Sequence, residues 1–384
     1  MKINYWLYAD PEDGPTSEFI PVLISQFPDA VSCASFDQLC NCINSEGPHA
    51  VLIFSPQAPD IGFEQARRIR KTEILKLTAQ GIECVLFVPE LFDISWDFDW
   101  ITSIPNLLIV APGQHNFGLL NYPWVTWQHW LQDAADVYRQ SNMAKYIGTL
   151  DTVSSKLKLF DVLLGGERVY RTLLHDWIEQ DPVLSAGVIM SYYGGTTTRP
   201  RMILEPGMDP DDMPTPPHTG VGIEFNGVYA RMSVVPPVSI YQQCAYSIVT
   251  ETNAQHNYVF FTEKIARVVV CRRLFIVLSS YGYLHYLRQA GFQTFGSIIN
   301  ESYDLEVNDE RRWRMAFEQM QALAAMDQQQ VLESIQPIVQ HNRQVLLATD
   351  WQKKMSQQVT QILDARLRLN LKESQELFHP GQGC

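Results

Sequence analysis

Two polar clusters in the C-terminal half of the chain contain residue types that can bind an anion. Thr250-Glu-Thr-Asn253 follows an apolar run that predicts a buried strand, and Thr262-Glu-Lys264 follows two phenylalanines. Thr262 before Glu263 predicts a helix N-cap. A helix N-terminus offers unpaired N–H groups and about half a positive charge, to which Lys264 adds a full charge. We therefore expect Lys264 to hold a phosphate and Glu263 to accept from a ribose; the alternative is an ordinary capped helix whose charged side chains are solvated.

A second strand and glycine turn lie upstream of these clusters. The run from Lys156 to Leu164 predicts a strand, Gly165 and Gly166 a turn, and the residues from about Arg168 a helix. This order places backbone N–H groups and a cation, either Arg168 or Arg171, at the carboxyl edge of a sheet. The alternative is that both arginines are surface or cap-adjacent residues.

The length of 384 residues predicts two domains, since one hydrophobic core rarely grows to that size. Strands alternate with amphipathic runs in both halves, which predicts an α/β fold with parallel sheets. From Asn308 onward, apolar residues recur at helical spacing. We expect an N-terminal domain over residues 1–150, a C-terminal domain over 151–345, and a C-terminal helix and tail over 346–384.

The charge balance argues against a protein that coats nucleic acid with its whole surface, because the formal net charge is −13. One local basic run contains Arg67, Arg70 and Lys71, and it either meets a phosphate backbone or forms a solvated helix face. Seven scattered cysteines are typical of reduced thiols in a cytoplasm. No apolar stretch reaches membrane-spanning length, and the first residues predict a strand instead of a signal peptide.

The two clusters resemble sequences of known glycosyltransferases. Thr250-Glu-Thr-Asn253, Phe260-Phe-Thr-Glu-Lys264 and Arg273-Leu-Phe-Ile-Val277 are similar to the donor-binding half of alpha-1,3-fucosyltransferases. A more specific resemblance, over about residues 155 to 345, is to glycosyltransferase-like proteins of tailed phages. Shared with that group are the Phe-Phe-Thr-Glu-Lys motif, a Tyr-Leu-x-x-Leu-Arg-x-x-Gly-Phe-x-Thr-Phe run at Tyr283 to Phe295, and Glu301-Ser-Tyr-Asp304.

The resemblance implies a metal-independent GT-B glycosyltransferase, in which two Rossmann-like domains face a cleft. Its C-terminal domain would bind a nucleotide sugar, which is a substrate, so no cofactor is expected. The resemblance assigns Lys264 and Arg171 to the diphosphate and Glu263 to the ribose. The other residues that we expect to bind the donor are Glu251, Asn253, Thr262, Phe260, Gly165 and Arg168. Because Phe260 and Thr252 replace a Tyr and an Asn of the fucosyltransferases, the resemblance does not carry over the nucleobase.

The acceptor separates two forms of this hypothesis. The phage-type resemblance and the basic run favour a hydroxymethylated pyrimidine in double-stranded DNA, bound through Arg67, Arg70 and Lys71 in the cytoplasm of a host cell. The overall acidity and the fucosyltransferase resemblance favour a glycan or lipopolysaccharide hydroxyl. A third hypothesis is an inactive transferase fold retained as a binding or virion protein, against which the intact Glu263 and Lys264 count. The sequence leaves open the sugar, the nucleotide, the stereochemistry, the general base and the oligomeric state.

Overall fold

The chain divides into two compact units in a computed structural model. The structure describes residues 3–8, 20–43, 48–54, 63–88, 101, 103–115, 124–166, 168–193, 222–255 and 258–378, without the side chains of 63–67, 114–115, 166, 192–193 and 370–378. The first unit consists of Met1–Gln114, Gly118–His129 and Asp350–Cys384, and the second of His115–Phe117 and Trp130–Thr349.

The first unit is built on a parallel sheet of six described strands in the order β2-β1-β3-β4-β5-β7. Its three central strands are buried along their whole length, as expected for a parallel sheet covered on both faces. The strands are β1 (Asn4–Tyr8), β2 (Val31–Cys33), β3 (His49–Phe54), β4 (Glu83–Phe87), β5 (Leu107–Ala111) and β7 (Trp124–Thr126), with the short β6 (Gly113–His115) between the last two. The helices between them are α1 (Ile20–Gln26), α2 (Phe36–Ile43) and α3 (Phe63–Thr78).

The last helix of the chain returns to this first unit. Helix α14 (Trp351–Phe378) places Met355, Val359 and Leu363 in the same buried cluster as residues of β1, β3, β4 and β5. Arg366 of this helix also forms an ion pair with Glu83 (Nη1 to Oε2, 2.9 Å). The division therefore differs from the predicted boundaries at residues 150 and 346, because the C-terminal helix completes the N-terminal core and is not a separate segment.

The second unit contains a parallel sheet of four described strands in the order β14-β12-β8-β9. These strands are β8 (Lys158–Gly166), β9 (Val188–Tyr193), β12 (Cys244–Thr250) and β14 (Phe275–Leu278). A hairpin of β10 (Gly222–Phe225) and β11 (Val228–Arg231) and the short β13 (Tyr258–Phe260) complete the strands. Asn226 and Gly227 close the hairpin with positive φ angles of 53° and 74°, which two-residue turns of this kind require.

The second unit also contains helices before, between and after these strands in the chain. The first five are α4 (His129–Arg139), α5 (Ser141–Gly148), α6 (Val169–Gln180), α7 (Pro182–Gly187) and α8 (Val238–Tyr241). The remaining ones are α9 (Glu263–Val270), α10 (Tyr283–Gln289), α11 (Asp309–Ala324), α12 (Gln328–Ser334) and α13 (Gln336–Ala348), with 3₁₀ turns at Met232–Val234 and Glu301–Leu305. Among the described residues, no helix is both long and apolar enough to cross a membrane. The predicted α/β class is confirmed: two parallel sheets and C-terminal helices form a Rossmann-like α/β protein.

A buried ion pair ties three strands of the second sheet together. Arg273, just before β14, donates to the Asp161 carboxylate of β8 (2.7 Å) and to the Ser247 hydroxyl of β12 (2.6 Å). Both charged side chains are only 3% exposed. The Arg273 guanidinium also donates to the main-chain oxygens of Tyr241, Cys244 and Tyr246, which satisfies its remaining donors. This network fixes the relative positions of the strands whose carboxyl ends carry the candidate site.

Candidate functional site at the carboxyl edge of the second sheet

The two polar clusters identified in the sequence meet at the carboxyl end of β12. This strand ends at Thr250, and α9 begins at Glu263 with Thr262 as its N-cap. The Thr262 hydroxyl oxygen accepts a hydrogen bond from the backbone N–H of Lys264 (3.2 Å), so the predicted cap is confirmed. Strand end, polar loop and capped helix thus bring Thr252, Glu263 and Lys264 into contact.

Lys264 lies at the centre of this contact. Its ammonium group donates to the Glu263 carboxylate at 2.9 Å and to the Thr252 hydroxyl at 3.2 Å, and its side chain is 21% exposed. An ammonium group has three N–H donors, and within the described part of the chain no third hydrogen-bond partner is present. The group is therefore anchored on two sides, positively charged and accessible from outside, at a helix N-terminus that itself attracts anions.

Glu263 is buried, with a side chain 10% exposed. Burial alone would raise the pKa of its carboxyl group, but the neighbouring cations Lys264 and Arg267 outweigh it and hold that pKa below the usual range. The carboxylate is consequently ionised at neutral pH, so both of its oxygens accept hydrogen bonds and neither donates one.

Glu251 follows the end of β12 and is surrounded by protein groups. It is fully buried, and its carboxylate accepts from the Thr262 hydroxyl (2.6 Å), the Tyr283 hydroxyl (2.7 Å) and the Thr262 backbone N–H (3.4 Å). Burial raises the pKa of this carboxyl group. Protein donors surround the carboxylate, and a contact between Glu251 and the donor substrate stays a prediction. Glu251 joins the ends of β12, α9 and α10.

Arg171 also has an internal role. It is 5% exposed, and its Nη2 donates to the main-chain oxygens of Thr250 (3.1 Å) and Glu251 (3.3 Å). Burial lowers the pKa of its guanidinium group. The hydroxyl of Tyr170 donates to the same Glu251 oxygen. Arg171 therefore positions the carboxyl end of β12 against α6, and its expected role as a catalytic cation stays a prediction.

The glycine turn after β8 lies close to this guanidinium. A Cβ atom added at Gly165 would lie 3.3 Å from Arg171 Nη1, so a side chain there would displace the arginine. Arg168 is the N-cap residue of α6 and is exposed, without a side-chain cap hydrogen bond. The predicted proximity of the glycine turn and an arginine is thus present, and it serves the packing of β8 against α6.

The two remaining predicted donor-binding residues have structural contacts. Asn253 donates from Nδ2 to the main-chain oxygen of Tyr258 (3.1 Å), which closes the loop between β12 and β13. The Phe260 ring is buried, 2% exposed, and contacts Tyr258 with ring centroids 5.7 Å apart. Neither side chain shares the contact between Lys264, Glu263 and Thr252.

The basic helix of the first unit divides between core and surface. Arg70 is buried, forms an ion pair with Glu73 (2.7 Å) and lies over the Tyr8 ring, 4.3 Å from its centroid. The charge of Arg70 is therefore already paired in the core, and the expectation that Arg70 binds the acceptor stays a prediction. Lys71 is half-buried, and the side chain of Arg67 lies outside the described residues.

Residues of the phage-type motif build the framework behind the site. Asp304 accepts from the backbone N–H groups of Leu284 (2.8 Å) and His285 (3.0 Å), which caps α10. Glu301 accepts from the Thr294 hydroxyl (2.7 Å) and from Arg288 (3.1 Å). These shared residues therefore hold α10 in place, and with it the Tyr283 hydroxyl that contacts Glu251.

Sequence reasoning did not identify Tyr283 and Arg267 as parts of the site. Tyr283 begins the shared Tyr-Leu-x-x-Leu-Arg run, so the motif itself was the available signal. Arg267 lies four residues after Glu263, a spacing that places both on one helix face. In the described segments, no three His, Cys, Asp or Glu side chains are grouped so that they could hold a metal ion.

Two comparisons with known proteins gave no match. No protein-family model matches the sequence, and a search of curated proteins finds no match. The resemblance to glycosyltransferases thus depends on the motif residues described above, and the contacts among those residues carry the functional argument.

Proposed function

We propose that this protein is a nucleotide-sugar-dependent glycosyltransferase of the GT-B type, with the donor diphosphate bound at Lys264 and the N-terminus of α9. The donor's ribose hydroxyls donate to Glu263. The acceptor in this proposal is a hydroxymethylated pyrimidine in DNA, modified in the cytoplasm of a phage-infected host cell. Arg68 and Lys76 are exposed on α3, which leaves local positive charge for a phosphate backbone even though Arg70 is buried.

One observation carries the proposal: the Lys264 ammonium is anchored by Glu263 and Thr252, is partly exposed, and lies in the first turn of a helix at the carboxyl edge of a parallel sheet. Ligands of open α/β sheets bind at this edge. The ammonium and the helix dipole have the same sign, so an anion there gains from both fields. An adjacent ionised carboxylate suits a ligand that carries hydroxyl donors beside its phosphates.

The same arrangement favours the transition state over the bound donor. A diphosphate leaving group gains negative charge as the bond to the sugar breaks, and Lys264 with the helix N-terminus stabilises that charge. The ribose hydroxyls carry no new charge during transfer, so Glu263 contributes mainly to donor affinity. Thr262, Glu251 and Arg171 act through position, because they hold the first turn of α9 and the end of β12.

The decisive experiment is mass spectrometry of products after incubation with a panel of nucleotide sugars. Hydroxymethylcytosine-containing DNA, unmodified DNA and bacterial oligosaccharides serve as acceptors. We expect a hexose or pentose mass increment on hydroxymethylated DNA only. A mass increment on the oligosaccharides would support glycosyltransferase activity but would mean that the acceptor is a glycan and not DNA.

The control for the site uses two lysine variants of the second unit. Lys264→Ala should abolish most of the product, whereas Lys145→Ala, at an exposed position of α5, should leave it unchanged. If no nucleotide sugar yields product and no nucleoside diphosphate shifts the melting temperature, the chain is a transferase fold without transferase activity.

A further inference from the structure

Helix α9 leaves two of its eight residues incompletely buried, and both are cations. Glu263, Ile265, Ala266, Val268, Val269 and Val270 are buried, whereas Lys264 and Arg267 are partly exposed. Residues three and four apart lie on the same face of a helix. Lys264, Glu263 and Arg267 therefore form one group, in which two positive charges flank one carboxylate.

Arg267 has no ion-pair partner of its own. Within the described part of the chain, no carboxylate oxygen lies within 4.0 Å of its guanidinium, and its buried Nε has no hydrogen-bond partner. Two buried arginines of this unit have acceptors that Arg267 lacks: Arg273 pairs with Asp161, and Arg312 donates to the main-chain oxygens of Ser279 and Ala254. A buried donor without a partner is costly and calls for an explanation.

The helical spacing and the electrostatics both connect Arg267 with Glu263. Side chains of a helix lean toward its N-terminus, and although burial lowers the pKa of the Arg267 guanidinium, Tyr241 and then Glu263 raise it. Glu263 lies one turn away in that direction, and a Glu four residues before a cation is the favourable order for a helical ion pair. In the structure, the Glu263 carboxylate is paired with the Lys264 ammonium (Oε1 to Nζ, 2.9 Å).

We infer that Arg267 is a positioning residue that takes over the Glu263 carboxylate when a diphosphate draws Lys264 away. This inference depends on the proposed function. Lys264 cannot neutralise the phosphate and remain the sole partner of Glu263. Without a second cation, an uncompensated carboxylate would lie beside the diphosphate and repel it. With Arg267 as its partner, Glu263 stays ionised and keeps an oxygen for the ribose hydroxyls.

The charge of Glu263 depends on several neighbouring groups. Lys264 and Arg267 on α9 favour its ionised form, and Arg267 is the cation that remains when Lys264 binds phosphate. Glu251 at the end of β12 and the phenols Tyr138 on α4 and Tyr283 on α10 face the same region. Removing Arg267 should therefore raise the pKa of Glu263. Ribose binding would then be lost at a higher pH, because a protonated carboxyl group is a poorer acceptor for hydroxyl donors.

The test is calorimetric titration of the full chain with UDP, GDP, ADP and inorganic pyrophosphate between about pH 4 and pH 7, a window that begins just below the ordinary glutamate pKa of about 4.3. Arg267→Gln should weaken binding of the preferred nucleoside diphosphate about tenfold, as loss of one charge-assisted contact does. As the pH is lowered, the Arg267→Gln variant should lose affinity at a higher pH than the wild type does. Arg267→Lys, which keeps the charge, should recover most of the affinity. Arg311→Gln, at a largely exposed arginine, is the matched control and should bind like wild type.

The double variant Glu263→Gln/Arg267→Gln separates this role from others. If Arg267 acts through Glu263, its replacement adds no more than about twofold in the Glu263→Gln background. A full tenfold loss in that background would mean that Arg267 contacts phosphate directly, and wild-type affinity with an unchanged pH profile in Arg267→Gln would make it a packing residue; either result overturns the inference. Failure of the wild-type protein to bind any of the four ligands would instead overturn the proposed function.

Discussion

The hydroxyl of Thr262 donates a 2.6 Å hydrogen bond to the buried carboxylate of Glu251. The same hydroxyl oxygen accepts from the backbone N–H of Lys264 at 3.2 Å, so one small side chain connects the end of β12 to the first turn of α9. The position of the Lys264 ammonium therefore depends on a bond between two residues that are themselves inaccessible to ligand.

Replacing Thr262 tests this connection. Thr262→Val keeps the shape but removes the helix cap, worth about 1 kcal/mol, and leaves a buried carboxylate oxygen without its donor, which costs about 1–3 kcal/mol. We expect the free energy of unfolding to fall by roughly 2–4 kcal/mol, measured by urea denaturation with circular dichroism. Thr262→Ser keeps the hydroxyl and should lose less than about 1 kcal/mol. Equal stability of the two variants would contradict a hydroxyl-based connection.

The buried carboxyl of Glu251 predicts a pH-dependent stability. Burial raises its pKa in the folded protein above the unfolded value of about 4.3. Between these two values the unfolded chain has released the proton and the folded chain retains it, so the free energy of unfolding falls as pH rises. Glu251→Gln cannot ionise and lacks this slope. We expect the stability of Glu251→Gln relative to wild type to increase from about pH 4 to pH 7 in urea titrations; a constant difference would show that the carboxyl is not perturbed.

Lys264 and Glu263 should differ in their kinetic effects. Lys264→Ala removes a charge that matters most when the leaving group becomes more negative, so turnover should fall about a hundredfold or more, which corresponds to about 2.7 kcal/mol. Glu263→Ala should mainly weaken donor affinity, because ribose hydroxyls carry the same charge before and after transfer. The measurement is steady-state kinetics with the identified donor, with circular dichroism as the folding control. Wild-type turnover in a folded Lys264→Ala protein would refute the role of the Thr-Glu-Lys motif.

The local structure of the site follows from local sequence signals. Thr262 before Glu263 indicated the cap, and the apolar run before Thr250 indicated the buried strand, because capping chemistry and hydrophobic periodicity act over a few residues. The positions and contacts of the Glu251 and Arg171 side chains depend instead on partners far away in the chain. Glu251 is buried by Tyr283, 32 residues later, and Arg171 donates to main-chain oxygens of Thr250 and Glu251, about 80 residues later. No local pattern specifies such contacts.

The sequence of the basic helix α3 did indicate which of its positive charges is buried. Arg70, Ile74 and Leu77 are spaced by four and three residues, so the helical period places Arg70 on the same buried face as the two apolar residues. The density of positive charge indicated a binding surface, whereas the period indicates which of the charges is internal. The return of α14 to the first unit has no comparable signal, because an apolar helix face does not specify which core it covers.

The Asp161–Arg273 pair should be needed for the second unit to fold stably. Each side chain is 3% exposed, so removal of one partner leaves an uncompensated buried charge. We expect Arg273→Met to lower the free energy of unfolding by about 3–5 kcal/mol, and Asp161→Asn/Arg273→Met to lower it by less, since the second change removes that charge. Thermal and urea unfolding of both variants give the comparison. A double variant less stable than the single one would mean that the hydrogen bond from the Ser247 hydroxyl to the Asp161 carboxylate (2.8 Å) dominates.

Helix α14 should be required for the first unit. Met355, Val359 and Leu363 are at most 1% exposed, and they pack in one cluster with residues of β1, β3, β4 and β5. Burial of each such side chain contributes about 1.5–3 kcal/mol, so a chain that ends at Thr349 would lose much of the stability of an ordinary domain. We expect this truncated chain to aggregate, or to bind a dye that reports exposed apolar surface.

A narrower test is Val359→Asp, which places a charge in that cluster, compared with Lys353→Asp at an exposed position of the same helix. The first variant should lose its cooperative unfolding transition while the second keeps it, because an unpaired charge in an apolar core costs far more than one in water. If Val359→Asp unfolds like wild type in urea, α14 is dispensable for the core of the first unit.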